Sequence, residues 1–211
     1  MIRFAIVLII FTGASFADTL TLDTQPLETS GTGPFTIDFQ LDQGDGAVVN
    51  SVLLSNFTFV GGGSIDEAPS STMGGVSVST GPFSVMLTNS SFLNDIQFAF
   101  TPGNSLSFDV TATSNAEPTT PDAFTFAIFD GSTNEIPTTN PNDSFLEIDS
   151  PANNSGANTI LSGSSGYSVD IAAPTFQPAG TSPVPEPSTL PLIGIAGAIL
   201  ARLSLKRQKH S

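Results

Sequence analysis

The chain has 211 residues, 19 of them acidic against 5 Lys and Arg, for a formal net charge of −14. The charges are segregated: Arg3, Arg202, Lys206, Arg207 and Lys209 all lie near the ends, while Asp18 to Val184 holds every carboxylate except Glu186 and no Lys or Arg. A middle of this kind cannot neutralise phosphates, which excludes nucleic acid and anionic lipid head groups as its partners; with no Cys and a single His, His210, it also lacks disulfides, thiolate metal sites and most nucleophile–base pairs.

Residues 1–17 follow the grammar of a secretory signal peptide. Arg3 forms the short positive region and Phe4 to Phe11 the apolar stretch. Ser15 and Ala17 are the small residues signal peptidase requires at the third-last and last positions before its cut, so the mature chain is expected to start at Asp18. An uncleaved anchor would need ~20 apolar residues, far more than this stretch offers.

The body, 18–172, carries strand signals throughout. Phe35-Thr36-Ile37-Asp38-Phe39-Gln40-Leu41 alternates apolar and polar without a fault, which predicts a strand with one buried and one wet face. Asp42-Gln43-Gly44-Asp45-Gly46 is turn chemistry, followed by a β-rich run from Val48 to Val60 that Asn50 interrupts and Gly61-Gly62-Gly63 ends. Alternation returns in Phe83–Leu87, Ile96–Phe100, Leu106–Ala112 and Phe124–Ile128, then in Phe145–Ile148 and Tyr167–Ile171. Turn signals at 101–104, 117–122 and 130–131 separate several of these runs. Roughly eight to ten short strands and no sustained helical spacing predict an all-β fold, a two-sheet antiparallel β-sandwich of jelly-roll or immunoglobulin-like type. With 17 Phe, one Tyr and no Trp, the interior is filled by rings that carry no polar handle. Residues 173–184, rich in Pro, Ser and Thr, are expected to form a linker.

The C-terminal segment, 185–211, has three parts. Pro185 and Pro187 hold the chain extended around Glu186, in the strand-like form that proteases bind. Leu190 to Leu205 is an apolar stretch interrupted by Arg202; as a helix its 16 residues reach roughly 24 Å, short for a membrane span. Arg202, Lys206, Arg207 and Lys209 form a basic tail that resists translocation and stays cytoplasmic. This arrangement resembles the PEP-CTERM sorting signal, in which a Pro-Glu-Pro motif, a short membrane helix and an Arg-rich tail are recognised by exosortase, an integral-membrane cysteine protease of Gram-negative bacteria. The motif falls on Pro185, Glu186 and Pro187; Pro191 and the spread of the basic tail depart from the usual pattern. The body is similar, over 35–46, 50–59, 121–128 and 136–139, to a group of β-rich PEP-CTERM proteins from soil-type bacteria, a resemblance that implies a shared β fold and no particular activity.

What the resemblance implies is an inner-membrane-anchored precursor, processed by signal peptidase and exosortase and delivered to the outer envelope or the extracellular matrix. Candidate chemistry in the body is sparse. Asp42, Asp45, Asp130 and Asp143 sit in turn-like segments; Asp and Asn favour turns for their backbone hydrogen bonding, and the alternative for Asp42 and Asp45 is a structural Ca²⁺ site, although their spacing matches no EF-hand loop. A glycosidase would need two carboxylates across a cleft, and without His, Cys or Lys in the body other acid–base schemes are closed, so no catalysis and no other cofactor are expected. The expected role is structural or adhesive. The alternative is a module that binds exopolysaccharide of the biofilm matrix, for which Tyr167 is the one Tyr and no Trp exists. Mutual repulsion among the body's carboxylates, under ~1 kcal/mol per pair at 7 Å in water, is weakened by salt. The thermal midpoint is therefore expected to rise between low and moderate NaCl, which a melting series monitored by circular dichroism checks; a falling midpoint would contradict dispersed repulsion.

Overall fold

Period-two alternation of apolar side chains builds nearly the whole molecule. The computed structural model describes residues 17–140, 142–152, 158–166 and 170–177, all in one compact unit that closes by residue 179. In chain order the strands are β1 (Asp18–Asp23), β2 (Phe35–Asp42), β3 (Ser51–Val60), β4 (Ser64–Ile65), β5 (Ser71–Met73), β6 (Gly75–Thr80), β7 (Phe83–Thr88) and β8 (Leu93–Thr101). They continue with β9 (Ser105–Ala112), β10 (Ala123–Phe129), β11 (Leu146–Asp149), β12 (Thr159–Ser162), β13 (Ser165–Gly166), β14 (Asp170–Ile171) and β15 (Thr175–Gln177).

Two antiparallel sheets result. The first runs β15-β1-β9-β3-β7-β6 and the second β12-β11-β10-β2-β8-β4, with β5 also on the outer edge of β8. A two-stranded ribbon, β13 with β14, lies apart from both. The chain passes repeatedly between sheets, so β2 and β10 pair from Thr36↔Phe129 to Asp42↔Ala123 while β3 and β9, close to each in sequence, pair in the other sheet. Inward residues of the two sheets pack together in the sandwich manner.

Phenylalanine dominates the space between them. Phe39 of the second sheet meets Phe57 and Phe108 of the first at ring-centroid distances of 6.0 and 5.4 Å, and Phe126 beside it at 5.3 Å. Phe126 in turn lies edge-on to Phe108 at 5.3 Å and tilted to Phe145 at 6.2 Å. Offset and edge-to-face contacts of this kind add to the area term of burial. The inward-facing leucines and isoleucines, such as Leu20, Ile37, Leu54 and Ile96, complete the core.

Three features depart from the pattern expected of the sequence. In β3 the buried positions switch from Val52 and Leu54 to Phe57 and Phe59, because the register with β9 shifts between Ser55 and Thr58. Asn56 takes a left-handed φ of 54° at this bulge, and its amide donates to Asp109 Oδ2 at 2.7 Å; the extra residue turns Phe57 inward, where alternation would have turned it out. A single helical turn, α1 (Gln25–Ser30), follows β1; it buries Leu27 and ends on Gly31 at φ 70°, too short to leave a helical period in the sequence. The expected linker 173–184 is partly sheet, since Thr175 and Gln177 pair with Thr21 and Thr19: Thr and Phe suit an edge strand, and the nearest Pro residues, Pro174 and Pro178, flank it. Of the run Tyr167–Ile171, only Asp170–Ile171 lies within the described residues, as β14.

Truncating Phe126, fully buried among three rings, to Ala is expected to cost about 3–5 kcal/mol. Phe92→Ala, at a residue 78% exposed, should change stability by no more than about 0.5 kcal/mol. Urea unfolding of the two variants checks the contrast.

Candidate functional site

The sorting residues Pro185, Glu186 and Pro187, the tail residues Arg202, Lys206, Arg207 and Lys209, and Ser15 lie outside the described residues. What the structure places are the two points where those segments join the body. Ala17 is half-buried immediately before β1, and β15 runs antiparallel to β1 with Thr19 opposite Gln177. Both joining points therefore sit on one edge of the first sheet.

Asp42 and Asp45 are each committed to protein donors. Asp42 accepts both of its hydrogen bonds from the Gln40 amide, at 2.9 and 3.0 Å. Asp45 accepts from Thr120 N at 2.8 Å, Thr119 N at 2.5 Å and Thr119 Oγ1 at 2.9 Å, and the two backbone donors hold its carboxyl below the usual carboxylate range. Asp130 is held down likewise by the backbone of Asn134 and Ser132. This is turn chemistry binding one loop to the next. Among the described residues no three carboxylate or imidazole groups come together as a metal site.

Sequence reasoning missed the centre of that loop cluster, Asp122. Its carboxylate, 1% exposed, accepts from Gly44 N at 2.7 Å, Asn50 Nδ2 at 2.7 Å and Asn89 Nδ2 at 2.9 Å. Asn50 and Asn89 are joined by a backbone-to-side-chain bond of 3.0 Å, and Asn50 Oδ1 accepts from Thr113 Oγ1 and Asn115 N. Gly44 has no room for a side chain, because a Cβ there would meet the backbone of Thr120 and Pro121. Four connections at one end of the sandwich, β2–β3, β7–β8, β9–β10 and the segment after β11, where Ser150 Oγ accepts from Asp122 N at 2.8 Å, are locked by amides that stand where a Lys or Arg would otherwise neutralise the charge. Asn50, whose type marks it as a strand breaker, is the one hint of this in the sequence.

A second cluster lies on the outward face of the second sheet. Asp38 and Asp95 alternate with core residues on β2 and β8, yet are only 5% and 8% exposed. Asp38 lies opposite Gln97 on one side and Ala127 on the other. Burial, then the hydrogen bond and charge of Asp95, push the Asp38 carboxyl up to about 8, against a weaker opposing bond from the Gln97 amide. The Asp38 carboxyl is thereby held in its protonated form at neutral pH. Burial and the charge of Asp143 push Glu135 up to about 7, and burial and Glu147 push Asp149 up. Glu147 is itself buried, accepting at Oε1 from Asn142 Nδ2 at 2.8 Å. Nothing in the sequence distinguishes Asp38 from a solvated outward residue; its burial comes from the tertiary fold. A carboxyl kept protonated is acid–base chemistry in principle, but with Asp38 and Asp95 so little exposed this site offers a reactant almost no access.

The described residues thus define an acidic, all-β sandwich braced by amide–carboxylate and carboxyl–carboxylate contacts. Residues 183–208 match the PEP-CTERM protein-sorting motif, a motif that implies export and sorting by exosortase. No curated protein and no solved structure matches the chain. Among the described residues no helix is long and apolar enough to cross a membrane; the expected span at 190–205 lies outside them.

The Asp38 carboxyl makes stability depend on pH in a fixed direction. The folded chain keeps a proton that the unfolded chain releases at the ordinary value of 3.8, so this contribution is whole below pH 3.8 and is lost as pH rises through about 8. Asp38→Asn, which keeps a neutral hydrogen-bonding group beside Asp95, is expected to flatten the decline between those values and to be more stable than the native chain at pH 8. Urea unfolding across that range checks it, and an unchanged slope would place the proton elsewhere.

Proposed function

We propose that the body is a structural, adhesive component of the outer envelope or extracellular matrix that catalyses no reaction, made by removal of residues 1–17 and then of the C-terminal anchor near Pro185-Glu186-Pro187. The observation that carries this reading is the sorting motif at 183–208 placed directly after an anionic sandwich. Two features of the fold support it. β1 begins at Asp18, the first residue after the expected signal-peptidase cut, so that cut removes no part of a strand. β15 ends at Gln177, leaving Pro178 to Val184 as the tether on which exosortase acts. Processing at these points discards every Lys and Arg, and the released body carries a formal side-chain charge of −18, which favours solubility and cation-mediated association with matrix polymers.

A second reading, binding of neutral exopolysaccharide, draws support from the outward face of the first sheet. Thr19, Thr21, Ser107 and Thr111 on β1 and β9, with Ser84 and Thr88 on β7, place hydroxyl groups there around Asp109, Leu53 and Met86. Polysaccharide pull-down with and without Ca²⁺ separates the two readings.

Intact-mass measurement of the protein released from its host tests the main proposal. The expected mass begins at Asp18 and ends near residue 185; full-length chain persisting in the inner membrane would overturn it.

A further inference from the structure

A cavity of about 100 Å³ lies at the start of β1. Asp18, Val110 and Ala112 line it from the first sheet, and Ile148, Asn158 and Ile160 line it from the β11–β12 side of the second. One polar atom among these residues is left unserved. Asn158 donates through Nδ2 to the carbonyl of Thr113 at 3.4 Å, but its Oδ1 is buried and accepts no hydrogen bond. An amide oxygen taken out of water in this way is destabilising until a donor reaches it. Asn158 also borders a space of about 10 Å³ shared with Asp122 and Ser150, at the lower limit for one water, so a water held there is the competing donor.

No charged side chain of the body can serve that oxygen, since residues 18–184 include no Lys or Arg. One cation arises only by processing. Hydrolysis of the Ala17–Asp18 peptide bond leaves a carboxylate on Ala17 and an α-ammonium on Asp18, the residue that opens β1 opposite Val110 and lines the cavity. The ammonium is charged at neutral pH, because α-amino groups ordinarily titrate near about 7.7–8.0. Before the cut the same nitrogen is a neutral peptide group carrying one proton, with half-buried Ala17 ahead of it. The field around it has one sign: the body's formal side-chain charge is −18, with Asp18 itself, Asp109 opposite Thr19 and Asp149 on β11 all contributing from the strands nearby, and such a field favours a cation.

We propose that the α-ammonium of Asp18, created by signal-peptide removal, docks in this cavity and donates to Asn158 Oδ1. The bond is charge-assisted and ties the start of β1 in the first sheet to the segment entering β12, the outermost strand of the second. Removal of residues 1–17 thereby completes the fold as well as freeing it from its leader. The inference rests on the cut after Ala17 in the envelope reading, but a chain that begins at Asp18 can be prepared directly, so the two fail separately.

The chain ending at Ser211, held in mild detergent, is prepared with Asp18 as its first residue and, separately, with Phe16 and Ala17 retained. Because residues 18–184 contain no Lys, the α-amine is the body's one amine, and peptide mapping separates it from Lys206 and Lys209 of the tail. With an amine-reactive ester at neutral pH, the Asp18 amine is expected to react at least about ten-fold more slowly in the folded chain than in urea. Asn158→Leu, which removes the acceptor, should restore the fast rate; Asn158→Asp, which offers a carboxylate in its place, should keep the slow one. The chain starting at Asp18 should melt above the chain starting at Phe16, and that difference should vanish with Asn158→Leu in both, a cancellation that a merely structural role for Asn158 does not produce. Should Asn158→Leu fail to fold, labelling and melting of the two native starts decide. Equal labelling in the folded and unfolded chains, or equal midpoints for the two starts, overturns the proposal and leaves Oδ1 to water. A host protein that starts elsewhere than Asp18, read by intact mass, overturns the cut on which the proposal rests, and labelling of the prepared chain tells that failure apart from failure of the docking.

Discussion

A carboxylate taken out of water must be met by a positive charge, by hydrogen-bond donors or by a proton, and from Asp18 to Val184 the chain offers no Lys or Arg. Both remaining solutions are used. Asp122 is met by N–H groups from neighbouring loops, which makes this buried charge a fastening point for the connections around it, and the exposed Asp45 ties Thr119 and Thr120 in the same way. Asp38 keeps a proton beside Asp95 of the adjacent strand. Loop-to-loop hydrogen bonds thus hold one end of the sandwich, while a protonated carboxyl is enclosed on the outward face of the second sheet.

The strands of the core were legible because each has an unbroken apolar face: Phe35–Leu41, Leu106–Ala112 and Phe124–Ile128 all become strands within a residue or two of the alternating run. What escaped has a physical reason in each case. The bulge at Asn56 breaks the alternation of β3 at the point where Phe57 enters the core. β15 and the short strands of the second sheet's outer edge are too brief for a period of two to show. The C-terminal sorting motif was legible in full, since a short linear motif read by a protease needs no tertiary structure to be recognised. Asp122 and Asp38 were invisible because burial of a polar side chain depends on which distant loops close over it, and Asp42 and Asp45, chosen for their turn setting, mark the border of the Asp122 network instead of its centre.

The rings account for how so acidic a body coheres. Phe39, Phe108 and Phe126 bridge the sheets with no polar atom to satisfy, so the interior places no demand on the limited set of donors, and the amides of Asn50 and Asn89 remain free to serve carboxylates. Charge is distributed accordingly. The stretch from Gly46 to Asn94 carries only Asp66 and Glu67, and it contributes one flank of the first sheet.

The pairing of β1 with β15 brings the earliest and the latest strands of the body into contact, with Thr19 opposite Gln177. A polypeptide threaded through a translocon from its N-terminus leaves β1 waiting outside with one side unpaired while some hundred and fifty residues follow, about the most non-local contact a body of this size permits. The sheet gains its last strand only when Gln177 has emerged, just as the sorting segment at 183–208 reaches the membrane. The strand that completes the sheet and the sorting segment are thus near neighbours in the sequence, separated only by residues 178–182.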